Sequence, residues 1–146
     1  MPSCRLPSVT LGAVFLGGCA GGLARELLVA AWPTPAGMFP WSTLGVNLTG
    51  CALLGWLLTR LNHPTGSPPR RSVWLRPLLT SGFCGAFTTF SAVTASSALL
   101  LLHRQVALGL GYLASSFGGG LLAALLGRYA ARSRSGQAGP DAATMR

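Results

Sequence analysis

Gly82-Phe83-Cys84-Gly85-Ala86-Phe87-Thr88-Thr89-Phe90-Ser91 lies inside an apolar stretch long enough to be a membrane helix, yet it carries two glycines and three hydroxyls. Polar, helix-weakening residues at that depth are expensive. Hydrocarbon offers no water to freed backbone groups, so a break is tolerated only where it is buried in protein or lines a site. The segment therefore predicts a membrane span that is broken around residues 85–91, with an ion or solute pathway centred on the break.

The rest of the chain agrees with a membrane setting. Of 146 residues half are apolar, 20 are glycine and only 9% are charged, too greasy for an ordinary soluble domain. Apolar windows of roughly 20 residues, enough to cross about 30 Å of hydrocarbon, fall at residues 9–31, 41–59, 75–102 and 106–129. The fold class expected is an all-α integral membrane protein with four transmembrane helices, the third broken. Residues 1–131 form the single membrane domain, and 132–146 a polar tail read as disordered. Pro33, Pro35 and Pro40 mark the first connection, flanked by Trp32 and Trp41, whose rings suit a membrane–water interface. Pro64, Gly66, Pro68 and Pro69 make the second connection an exposed loop.

The formal charge of +9 is carried by arginine alone, and the only acids are Glu26 and Asp141. A basic soluble protein would suggest nucleic acid, but these arginines punctuate the apolar windows and act as topology anchors, so no nucleic-acid partner is expected. With alternating spans, Arg5, Arg60, Arg70, Arg71, Arg76, Arg128, Arg132, Arg134 and Arg146 share one side and Arg25 and Arg104 the other. The positive-inside rule then puts both termini in the cytoplasm of a multi-pass protein in the cell membrane, in contact with lipid.

Cys4, Cys19, Cys51 and Cys84 are scattered without a paired motif, which reads as buried free thiols and not as a metal or disulfide framework. His63 and His103 have no partner suggesting chemistry. Leu16-Gly17-Gly18-Cys19 looks like a lipoprotein cleavage box, but cleavage there would delete most of the first span. Small-residue pairs at Gly17/Gly21 and Gly18/Gly22, and at Ser115/Gly119 and Ser116/Gly120, predict close helix packing.

Polar residues at membrane depth are Asn47, Thr88, Thr89, Ser91, Thr94, Tyr112, Ser115 and Ser116, all neutral. Such donors can hold an anion without trapping it. A proton-coupled carrier would need an acid inside the membrane, and the sole candidate, Glu26, reads instead as the partner of an interfacial arginine. Phe83, Phe87 and Phe90 follow a helical stripe, which is ordinary packing, although the positive ring edge of Phe90 would suit an anion. At the break, carbonyls bracketed by Gly85 and Thr88 can turn inward toward a small cation.

Three motifs in order resemble the small fluoride channel family, the Fluc or CrcB proteins. They are Gly17-Gly18-Cys19-Ala20-Gly21-Gly22-Leu23-Ala24-Arg25, Ser42-Thr43-Leu44-Gly45-Val46-Asn47-Leu48-Thr49-Gly50, and the 82–91 stretch. The resemblance implies a four-helix protomer in an antiparallel dimer, passive fluoride export that relieves fluoride toxicity, and a structural Na+ at the dimer interface. It would place backbone carbonyls of Gly85 and Thr88 on the Na+, Asn47, Phe90, Ser91, Tyr112 and Ser116 along the anion path, and Arg25 in the vestibule.

Two positions depart from that pattern. Val93 stands where the family signature has a second phenylalanine, and Ser42 where the second motif opens on glycine. With the one-sided arginines, Val93 raises the expectation of a heterodimer with a homologous subunit beside that of a homodimer. A small proton-coupled multidrug exporter and a non-conducting partner subunit are the rival readings. No enzyme activity is expected, since no nucleophile has an acid or base nearby.

Overall fold

The computed structural model describes residues 8–35, 37–61 and 70–133, and every regular element among them is helical. The expectations for Cys4, Arg5, the loop at 62–69 with His63, and the tail from 134 onward lie outside the described residues. Helix α1 spans Ser8–Ala31 and α2 Trp41–Arg60. The third span is composite: α3 (Arg70–Pro77), a π-helical segment (Leu78–Cys84), the short α4 (Gly85–Phe87) and α5 (Phe90–Leu102). Helix α6 runs over Val106–Ser133.

Four stretches are long and apolar enough to cross a membrane: Ser8–Ala31, Trp41–Arg60, Ser72–Leu102 and Val106–Ser133. They match the windows read from hydropathy to within a few residues. Large side chains such as Phe15, Leu23, Leu121 and Leu126 point outward, as a surface bathed in lipid requires.

The connections follow from local chemistry. Pro33, Pro35 and Pro40 lie between α1 and α2, and Gly37 takes a φ of 77°, a left-handed conformation that costs glycine nothing. Between α5 and α6 the turn is tight: Arg104 takes a φ of 60°, and Gln105 N–H donates to Leu100 O at 2.9 Å. So short a link makes α5 and α6 antiparallel neighbours. In the third span, Pro77 cannot donate to the carbonyl four residues back, and the helix widens immediately after it into π geometry.

Glycine builds two seams. Gly17 and Gly21 of α1 face the π-helical segment, where an added Cβ would run into the carbonyls of Leu78 and Phe83; one on Gly82 would sit 2.7 Å from Val14 O. Gly55 and Gly127 form the second seam, between α2 and α6, each against a carbonyl of the facing helix. Of the small-residue pairs read from sequence, Gly17/Gly21 is therefore a packing face, whereas Gly18 and Gly22 have open space around them. Gly119 and Gly120 face Leu48 and Cys51 of α2. A small core of Leu44, Val93, Leu100 and Tyr112, flanked by Phe39, Leu48 and Leu113, packs α2, α5 and α6 together.

Candidate functional site

Between α4 and α5 the backbone leaves helical geometry. Thr88 has φ −81° and ψ 148°, and Thr89 has φ −141° and ψ 119°, both extended. Each threonine ties off one flank. Thr88 donates from both its amide and its Oγ1 to Cys84 O, at 3.0 and 2.9 Å, which finishes the upstream helix. The Thr89 Oγ1 accepts from Ala92 N–H at 3.2 Å and so caps α5.

Asn47 of α2 holds the extended turn. Its Nδ2 donates to Thr89 O at 3.1 Å and its Oδ1 accepts from Thr89 N–H at 2.8 Å, so one carboxamide pairs with both polar groups of a residue 42 positions away. Buried backbone groups must find partners, and here a side chain supplies them. One helical turn further on, Gly50 leaves the room that the Thr88 methyl and the Phe87 ring occupy. Asn47-x-x-Gly50 is thus a clasp and a seat for the turn.

The clasp has a consequence for carbonyls. In an unbroken helix Thr89 N–H would serve Gly85 O and Ala92 N–H would serve Thr88 O. Here the first amide goes to Asn47 and the second to the Thr89 hydroxyl. Gly85 O and Thr88 O, the pair that the resemblance assigns to a cation, have both lost their helical donors.

Two clefts flank the turn, and Thr89 lines both. The wider, about 400 Å³, is walled by Arg25, Glu26, Val29, Thr43, Thr89 and Ser91. The narrower, about 170 Å³, is walled by Asn47, Thr88, Phe90, Val93, Ser116 and Phe117, with Cys51 beside them. Asn47, Phe90 and Ser116 are therefore brought together, while Ser91 stands with Arg25 on the other side. Phe90 is 67% exposed, with its ring centroid 6.1 Å from that of Phe117. The helical stripe of phenylalanines does not survive the turn: Phe83 and Phe87 stack at 5.5 Å, and Phe90 departs from them. Val93 is buried and forms the back of the narrow cleft, where the resemblance would have a ring.

Tyr112 is completely buried behind this cleft, its ring edge-on to Phe39 at 5.3 Å. Its hydroxyl and the Ser116 Oγ have no hydrogen-bond partner among the described residues. Of these two buried hydroxyls, that of Ser116 belongs to the lining of the narrow cleft and that of Tyr112 does not. Among the described residues no cluster of three or more His, Cys, Asp or Glu side chains occurs.

Sequence reasoning counted Thr89 only as one of several neutral polar residues at membrane depth and gave Gly50 and Thr43 no role of their own. The signal for Thr89 was present in the adjacent Thr88-Thr89 pair, but nothing local says which of the two a distant asparagine will hold.

Four spans, the third interrupted, with neutral donors gathered at the interruption and one arginine near it, define a small polytopic membrane protein with a polar site at the break. Residues 12–128 match the family described as CrcB-like protein, Camphor Resistance (CrcB), and the chain belongs to that family. It is 39% identical to "Fluoride-specific ion channel FluC 1" of Streptomyces coelicolor, over 88% of this chain and 80% of the relative. It is 38% identical to "Fluoride-specific ion channel FluC 2" of Nocardia farcinica, over 90% and 91%. A "Fluoride-specific ion channel FluC 2" of Carboxydothermus hydrogenoformans is 43% identical over 80% and 82%.

Proposed function

We infer that this chain is a fluoride-specific ion channel subunit that lets fluoride leave the cytoplasm passively and so relieves fluoride toxicity. The observation that carries the reading is the family match over residues 12–128, which takes in every residue of both clefts. The chemistry supports it. Neutral hydroxyl, carboxamide and ring-edge donors favour a small anion yet release it, as conduction requires.

The conducting unit is a dimer. Phe90 is too exposed to form a closed path within one protomer, and a second copy laid against the narrow cleft would complete its wall. Gly85 O and Thr88 O would hold a structural Na+ at the same interface. Two carbonyls are too few for a hard cation, and a two-fold partner supplies the same pair again. Its chemistry would be electrostatic, joining the two breaks.

Arg60, Arg76, Arg128 and Arg132 lie at the ends of spans that share one side, which favours cytoplasmic termini and a single orientation. That bias, and Val93 in place of a ring, favour pairing with a homologous subunit inserted the other way round. The relatives' numbered names, FluC 1 and FluC 2, are in keeping with more than one such chain in an organism.

Fluoride efflux from liposomes, followed with a fluoride electrode after a potassium ionophore is added, tests the reading. Fast efflux without chloride leak from the chain alone establishes a homodimer. Silence rescued by a homologous partner establishes the heterodimer, and silence with every partner removes the channel reading.

A further inference from the structure

Glu26 is the one acidic side chain among the described residues, and it lies in the wide cleft. Arg25 Nη2 donates to Glu26 Oε1 at 2.7 Å. Adjacent residues on a helix project about 100° apart and do not face each other, so the guanidinium has to turn sideways along α1 to make this contact. We propose that Glu26 is a tethered counter-ion for Arg25, which sets how strongly the wide cleft gathers anions. The proposal rests on the channel reading above.

A role in holding the fold does not account for the pair. Its side chains are 29% and 68% exposed, and an ion pair that open contributes little to stability. What it changes is the field in the cleft. Every other wall residue is uncharged: Val29 from α1, Thr43 and Val46 from α2, and Thr89, Ser91, Ala92 and Ala95 from the turn and α5. With Glu26 in place an approaching anion meets a dipole close to zero net charge. Without it, the anion meets an unpaired guanidinium in a cleft whose other walls are neutral, the arrangement that concentrates counter-ions. The carboxylate also competes directly for the N–H groups an anion would use.

The test is fluoride efflux from wild type, Glu26→Gln, Arg25→Gln and the double variant, reconstituted alone or with whichever homologous partner gives flux. Glu26→Gln is expected to raise the initial rate about threefold at sub-saturating fluoride and low ionic strength, with the gain fading in about 0.3 M sodium gluconate as the field is screened. Arg25→Gln slows efflux, and the double variant matches Arg25→Gln because Glu26 acts only through Arg25. Glu26→Ala, which removes charge and side chain together, follows Glu26→Gln. If wild type conducts and both Glu26 variants run at its rate, or if their effect persists without Arg25 or in high salt, the proposal is wrong. If wild type is silent with and without partners, the channel reading fails and takes the proposal with it.

Discussion

The two clefts that share Thr89 differ in volume, charge and aromatic content. One is wide, holds a charged pair and offers hydroxyls; the other has less than half the volume, no charge, a carboxamide and two aromatic rings. A long-range field attracts ions indiscriminately, whereas close-fitting neutral donors act only on an ion that has shed water. If the chain conducts fluoride as proposed, gathering and choosing fall to separate places, with the extended Thr89 as the wall between them.

That division can be broken most severely at the clasp. Asn47→Leu leaves Thr89 N–H and C=O unpaired in a buried turn, a loss of about 2–5 kcal/mol that should appear as a lower melting temperature in detergent together with loss of flux. Phe90→Ile should cost the protomer fold little, because within one protomer the ring is largely exposed, yet cut fluoride flux about tenfold, equivalent to ~1.4 kcal/mol at the ion. Equal melting with equal flux would deny the narrow cleft its part.

Gly50→Ala sharpens the comparison by moving the turn without touching a donor. The added methyl meets Thr88 and Phe87, and about 1–3 kcal/mol of strain is expected, against no change for Gly18→Ala, where space is open. The smallest effect belongs to Thr89→Ser. It keeps the hydroxyl that caps α5, so stability should fall by less than about 0.5 kcal/mol and flux should persist, whereas Thr89→Val loses the cap and about 1 kcal/mol.

The four spans, their order and the glycine face at Gly17 and Gly21 were legible in the sequence, because hydropathy and small-residue spacing act within one helix. The gathering of Asn47, Phe90 and Ser116 at one cleft was legible only through the family resemblance. Less accessible was everything decided between helices. That Asn47 spends its carboxamide on the Thr89 backbone, that Gly50 seats the turn, and that Gly55 and Gly127 meet across α2 and α6 all depend on register between distant segments. The phenylalanine stripe misled for the same reason, since a helical period presupposes a continuous helix and the extended threonines rotate Phe90 away. The π-helical segment was not foreseen either. Pro77 announces a lost hydrogen bond, but a widened turn is one of several ways to absorb it.

The Asn47 clasp also bears on how the protein is made. A span entering a bilayer must carry its hydrogen bonds within itself. The third span can therefore insert as a continuous helix, with Thr89 N–H on its own carbonyls, and give up that bond only when α2 docks alongside and Asn47 takes its place. On this view the interruption is a product of assembly and not of insertion: α2, which precedes the third span in the chain, sculpts the turn as the two helices dock.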